Sequence, residues 1–144
     1  MSDEYEQTIE GSCLCGQVKY ALTPPHKLFQ YCHCSRCQKT SGSAHAANIF
    51  VPSEQFSWLS GQSRLKEFRL AEAKHYGTVF CDHCGSSMPW TTADGATTIV
   101  PAGGIDQAME LRPSQSIFWD SHAAWYIAPD QLPQHSELPP RKAK

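Results

Sequence analysis

Alternation of apolar and polar positions gives the first structural signal in this chain. Over residues 16–22, Val18, Tyr20 and Leu22 fall on one side and Lys19 on the other. A period of two is the strand period, because successive side chains of an extended backbone point to opposite faces. Segments 44–51, 65–70, 74–80 and 96–100 predict further strands from alternation or from β-branched and aromatic content. Residues 116–119 and 124–128 predict two more, short and aromatic-rich. Only 35–41 carries a helical signature, with Ser35 as its N-cap. Pro24-Pro25, Ser60-Gly61, Asp94-Gly95 and Gly103-Gly104 predict turns. The ten prolines and nine glycines disfavour long helices throughout. The pattern predicts a mainly β single domain. Four prolines between Pro129 and Lys144 predict an extended tail without a metal role.

Composition narrows this picture. A chain of 144 residues has room for one domain with its own hydrophobic core. The formal net charge of −2, without a basic stripe, leaves no electrostatic footprint for nucleic acid or an anionic membrane. The first seven residues are acidic and polar, unlike a secretory signal, and no apolar run reaches membrane-span length. The expected location is the cytoplasm, where thiols stay reduced.

That expectation changes the meaning of the cysteines. All seven lie in three clusters: Cys13-x-Cys15, Cys32-x-Cys34-x-x-Cys37 and Cys81-x-x-Cys84. An odd number excludes a framework that pairs every thiol within the chain. Thiolates at such spacings suit a soft metal, zinc above all. In a strand, Cys13 and Cys15 share one face and can bite one ion. Cys81 and Cys84, followed by Gly85, match a knuckle in which glycine supplies a positive φ. The two pairs suit a shared, closed four-sulfur site. Cys32, Cys34 and Cys37 can reach one ion together and leave its fourth position to water, substrate or a histidine. His33, His45, His75, His83 and His122 are the candidates for that closure. Spacing also permits a swap, with Cys34 and Cys37 joining Cys81 and Cys84 in a zinc ribbon.

Three segments together resemble a known family. Gly11 to Tyr20 is similar to the opening of the glutathione-dependent formaldehyde-activating enzyme family, also called centromere protein V-like. Tyr31 to Ser43 resembles its second motif and Phe80 to Ser86 its third. A weaker likeness runs through Gly104-Ile105-Asp106 and Ile117 to Trp125. The resemblance implies an Mss4-like, β-rich single domain over 9–126 and a proline-rich tail over 127–144. It implies two zinc ions, with Cys13, Cys15, Cys81 and Cys84 holding a structural one. Cys32, Cys34 and Cys37 would hold a catalytic one. The implied activity is that of a carbon–sulfur lyase similar to S-(hydroxymethyl)glutathione synthase, joining glutathione to formaldehyde.

An open position on a three-thiolate zinc can bind an incoming thiol and lower its pKa, or polarise a carbonyl. His33 or His45 is the expected proton shuttle. Arg36 and Lys39 can meet a carboxylate. Backbone N–H groups around Ser41-Gly42-Ser43 can bond a ligand oxygen or simply close a turn. Of Trp58, Trp90, Trp119 and Trp125, one or two are expected at the pocket and the rest in the core. The competing classes are a non-catalytic zinc module that binds a protein partner and a redox switch on the Cys32–Cys37 cluster.

Overall fold

The computed structural model describes residues 7–26, 28–73 and 76–141. Among them the chain forms β1 (Ile9–Ser12), β2 (Lys19–Leu22), β3 (Leu28–Cys32), α1 (Ser35–Ser41), β4 (Ala46–Pro52), β5 (Phe56–Ser60) and β6 (Leu65–Arg69). There follow β7 (Gly77–Cys81), β8 (Ser87–Met88), β9 (Trp90–Thr91), β10 (Thr97–Pro101) and β11 (Ser116–Ile117). The fold is mainly β, as the alternation predicts. Three small sheets build it, in the orders β1-β2-β5, β11-β3-β4-β10-β9 and β6-β7-β8. All pairings are antiparallel except that of β11 with β3.

The core lies where the inner faces of these sheets meet. Val18, Tyr20 and Leu22 are fully buried, while Lys19 is exposed, so the alternation that predicts β2 is the alternation that packs it. Ile49 and Val51 of β4, Val100 of β10, Val79 of β7 and Met88 of β8 pack into the same cluster. Two of the seven cysteines, Cys13 and Cys81, belong to it as well. The remaining face of the five-stranded sheet is set by register. Cys32 lies opposite Ala46 and Ile117, Phe50 opposite Ile99, and Ile99 opposite Trp90. Cross-strand partners point to the same side, so Cys32, Phe50, Ile99, Trp90 and Ile117 share the face away from Ile49, Val51 and Val100.

One glycine is fixed by close approach. Gly11 of β1 pairs with Tyr20, and a Cβ there would stand 2.4 Å from the Tyr20 ring. The ring is fully buried and has no space to retreat into. Gly11→Ala is therefore expected to cost about 2–3 kcal/mol as an overpacking substitution. A thermal melt should fall by several degrees, while Gly103→Ala, whose Cβ meets nothing within 4 Å, should melt like the parent.

Several expectations need correction. β1, β3, β5, β8 and β9 form where no strand was predicted, because such short segments carry no clear period. The segment 124–128 is not a strand: the Tyr126 N–H donates to the Ala123 carbonyl at 3.0 Å and closes a turn with no neighbouring strand. Segment 116–119 shortens to β11 and passes into a 3-10 turn over Trp119–Ser121. Lys74 and His75 lie outside the described residues, and the strand predicted over 74–80 is observed as β7. Beyond residue 126 the described chain forms one further 3-10 turn, Pro129–Gln131, and is mostly exposed. No helix among the described residues is long and apolar enough to cross a membrane.

Candidate functional site

Two thiol clusters stand out from the rest of the chemistry. Cys13, Cys15, Cys81 and Cys84 form one, and Cys32, Cys34 and Cys37 form the other, with the sulfurs in each all within 4.8 Å of one another. The swapped ribbon is thus not the arrangement found, since Cys34 and Cys37 gather with Cys32.

The four-sulfur cluster is built from two hairpin turns. Cys13 follows β1 and Cys81 ends β7, both buried, while Cys15 and Cys84 lie in the turns beyond them. The Gly16 N–H returns to the Cys13 carbonyl at 3.0 Å, and the Gly85 N–H returns to the Cys81 carbonyl at 2.8 Å. Both glycines hold positive φ, 82° and 79°, a conformation that L side chains resist. Gly85 fills the role expected of it, and Gly16 is its counterpart in the first turn. Cys13 and Cys15 do not share a strand face; the turn brings them together, Sγ to Sγ at 3.5 Å. Cys15 and Cys81 sulfurs lie 3.9 Å apart across the two turns. A tetrahedral zinc tetrathiolate needs sulfurs about 3.8 Å apart.

Ser86 ties the turns together, a role the spacing of cysteines gave no reason to expect. Its hydroxyl accepts the Leu14 N–H at 2.9 Å and lies 3.2 Å from the Cys84 sulfur. Hydrogen bonding from the Ser86 side chain and backbone holds the Cys84 thiol down at about 5. Cys15 is pushed up to about 12: the Gln17 backbone N–H favours its thiolate but is outweighed by desolvation and by the sulfurs of Cys13, Cys84 and Cys81. One thiol ionises and its neighbour resists, as crowded like charges must. A bound cation removes that repulsion, so the donor set fits a soft divalent metal.

The three-sulfur cluster sits where β3 passes into α1. Cys32 ends the strand, and Cys37 is the buried residue of the helix. The N-cap is Cys34, not Ser35: its backbone is extended (φ −67°, ψ 157°) and its sulfur accepts the Cys37 N–H at 3.3 Å. A sulfur thus does the capping work usually given to serine or aspartate, and the cap holds two of the three thiols in fixed relation. Gln38 anchors the helix, its amide donating to the carbonyls of His33 at 2.8 Å and Ser121 at 3.0 Å. Hydrogen bonding with Cys37 lowers the Cys32 thiol to about 6, and the same contact, with burial, raises Cys37. The Tyr76 hydroxyl donates toward the Cys37 sulfur at 3.9 Å and lies 2.7 Å from the Thr40 hydroxyl. Burial, chiefly, raises Tyr76 to about 12, so it keeps its proton near neutral pH.

This cluster opens on a cleft of about 600 Å³. Its floor is the sheet face that carries Cys32, with Phe50, Trp90, Ile99 and Ile117; its rim holds Arg36, Tyr76 and Phe118. Phe118 is 63% exposed and adopts φ 56°, the sole non-glycine residue with positive φ among those described. A bulky residue in that region carries strain of about 1–3 kcal/mol.

The other sequence candidates distribute as follows. Arg36 lines the cleft and Lys39 does not. Ser41-Gly42-Ser43 is the C-terminal cap of α1: the Gly42 N–H donates to the Gln38 carbonyl at 2.9 Å and the Ser43 N–H to the Ser41 hydroxyl at 3.2 Å. Those donors are spent within the turn. No histidine nitrogen among the described residues joins either sulfur group. His33 follows Cys32 and turns to the opposite side, where it is buried among His45, Trp119 and Tyr126, with ring centroids at 4.9, 4.9 and 5.7 Å. Burial, then the neighbouring charges of His45 and His122, lowers its pKa. His45 lines a smaller cavity of about 160 Å³ beside Cys37 and Tyr76. His83 is exposed, His122 stacks on Trp119 at 4.0 Å, and His75 lies outside the described residues. Trp90 is at the cleft and Trp58 packs on Tyr20, but Trp119 and Trp125 are exposed and not core.

Comparison with known proteins bears on the family and the fold. A family model described as glutathione-dependent formaldehyde-activating enzyme matches residues 8–121. A protein of Halomonas elongata, provisionally named as such an enzyme, is 44% identical over 43 residues. That match covers 28% of this chain and 27% of the relative, so the chain spans about a quarter of that protein's length. A crystal structure of a Rhodobacter sphaeroides protein superposes with a TM-score of 0.59 at 17% identity. It covers 74% of this chain and 98% of that one, a likeness of fold alone.

Proposed function

We propose, because the chain belongs to the glutathione-dependent formaldehyde-activating enzyme family over residues 8–121, that it is a zinc-dependent enzyme of carbon–sulfur lyase type. Its reaction joins a thiol such as glutathione to formaldehyde or another small carbonyl compound, forming a hemithioacetal. The observation that carries this reading is the convergence of Cys32, Cys34 and Cys37 beside an open cleft, with no fourth protein ligand among the described residues. Cys13, Cys15, Cys81 and Cys84 hold a structural zinc in the same proposal, and the site-bearing domain is 9–126, with 127–144 adding no ligand.

Zinc bound by three thiolates keeps one position that acidifies a thiol or polarises a carbonyl. The chain's own residues do the rest. The Cys34 cap and the Gln38 anchor fix the cluster geometry, so no reorganisation is needed when substrate arrives. Phe50, Ile99 and Ile117 exclude water on the sheet side, which strengthens electrostatic contacts in the cleft. In hemithioacetal formation the thiol proton must finally reach the new hydroxyl. The linked hydroxyls of Tyr76 and Thr40 stand beside Cys37 and can pass it, in place of His33, which faces away.

The test combines metal content, glutathione binding and product formation followed by NMR. The parent should carry about two zincs per chain and form hemithioacetal above the spontaneous rate. Cys34→Ala should carry about one and lose glutathione binding. Unchanged glutathione affinity in Cys34→Ala would overturn coordination of the thiol at this centre.

A further inference from the structure

We infer that the thiol best suited to the Cys32–Cys34–Cys37 centre carries an apolar, ring-bearing body and a single anionic group, held between Phe118 and Trp90 with its anion at Arg36. This rests on the reading that the centre takes a thiol and goes beyond it by naming the class.

Size is the first argument. A cleft of about 600 Å³ lies beside the sulfurs, within the range of pockets that enclose a whole small molecule. Formaldehyde has no substituent to fill it, so what the cleft recognises is the body of the thiol. The second argument is the character of the walls. Cross-strand register aligns Ile117 with Cys32, and Phe50 and Trp90 with Ile99, on one sheet face. These side chains form a mostly apolar floor leading away from the cluster, interrupted by Asn48 on the same face of β4. The Tyr76 ring lies 5.9 Å from that of Trp90, tilted by 46°.

Phe118 supplies the third argument. Its left-handed backbone is strained for any residue except glycine. Glycine would make the same turn without strain, so what this position supplies is the ring. That ring is exposed at the rim of the cleft and shares no ring contact with another aromatic side chain among the described residues. A substrate ring laid against it gains an offset or edge contact of the kind aromatic pairs prefer.

Charge is the fourth. Among the described residues that line the cleft, Arg36 is the one cation, and none is acidic. Its guanidinium forms no ion pair with a described carboxylate. One carboxylate on the ligand can dock there as a charge-assisted pair. Glutathione brings two carboxylates and an ammonium, and among the described lining residues Arg36 can meet only one of those carboxylates.

The test is calorimetric titration of the zinc-loaded full chain with four probe thiols: 2-mercaptoethanol, phenylmethanethiol, 4-(mercaptomethyl)benzoate and glutathione. Phenylmethanethiol should bind at least about tenfold tighter than 2-mercaptoethanol, the scale set by small changes in apolar pocket contact. The benzoate should bind tighter still and exceed glutathione. Phe118→Gly should erase the ring preference, bringing phenylmethanethiol down to the affinity of 2-mercaptoethanol, with a melting temperature no lower than the parent's. Phe118→Leu, which keeps an apolar side chain, should retain part of the preference. Arg36→Gln should remove only the gain from the carboxylate. Equal affinities across the probes, or glutathione binding tightest, would overturn the inference and leave thiol coordination standing. If no probe binds, the proposed reaction itself fails, and the inference with it.

Discussion

Cys81→Ala is expected to lower the stability of the protein by on the order of 5 kcal/mol, with the thermal midpoint falling by about 10–20 °C. Two losses combine. Cys81 is fully buried in the same cluster as Tyr20, Leu22 and Val79, so truncation leaves a gap in the core. The larger loss is the four-sulfur centre. Structural zinc sites contribute about 10–16 kcal/mol of apparent binding energy in small peptides that fold only with metal. A domain with its own core realises part of that, because some of its structure persists without the ion. The two turns joined by the centre share little else: the Leu14 to Ser86 bond, the Cys15 backbone N–H bond to the Cys84 sulfur and the close approach of the sulfurs, 3.9 Å between Cys15 and Cys81, are direct links. Without a cation, four thiols crowd within 4.8 Å, and ionisation of one opposes ionisation of the next. Circular dichroism melts with and without a strong chelator check the claim. Chelation should bring the parent's midpoint close to that of the variant. A shift of less than about 2 °C in either experiment would remove the structural role.

How far the sequence foretold this molecule depends on the range over which each signal acts. The cysteine spacing acts locally. Pairs two and three residues apart must stand near one another in any fold, and the shared Gly-after-Cys pattern at Gly16 and Gly85 marks both turns. The burial of Val18, Tyr20 and Leu22 is likewise local, written in a period of two. The cleft is different. Phe50, Trp90, Ile99 and Ile117 lie on four different strands, and only the register of the five-stranded sheet aligns them with Cys32. No window of sequence holds that register. Alternation within β3 also decides that Cys32 faces the cleft while His33 turns away, and β3 itself went unpredicted because Leu28 to Cys32 has no clear period. The Cys34 cap escaped notice for a chemical reason: serine is the common N-cap, so Ser35 attracted the role one residue late. Trp119 and Trp125 mislead because a large apolar ring argues for burial, while their place after β11 leaves them on the surface.

Cys37→Ala should separate chemistry from folding. Among the three thiols it is the one carried inside α1, buried, and touched by the Tyr76 hydroxyl. Alanine is the best helix former and fits the space a sulfur leaves with only a small cavity. The expected cost is about 1 kcal/mol, a fall of roughly 2–4 °C in the melt for a chain of this size. The functional effect is far larger. Two thiolates cannot retain zinc as three do, so metal content should drop from about two to about one per chain, with catalysis falling to the spontaneous rate. Tyr76→Phe makes the finer distinction. It keeps all three sulfurs and the aromatic wall but removes the hydroxyl shared with Thr40. Full metal content with a rate lowered by about 10–100-fold is expected if that hydroxyl relays the proton, at the low end of general acid–base effects because water can substitute. Equal losses of thermal stability in Cys37→Ala and Cys81→Ala would contradict the division into one centre that folds the chain and one that reacts. A Cys37→Ala variant retaining both zincs and the parent's rate would move the chemistry elsewhere in the cleft.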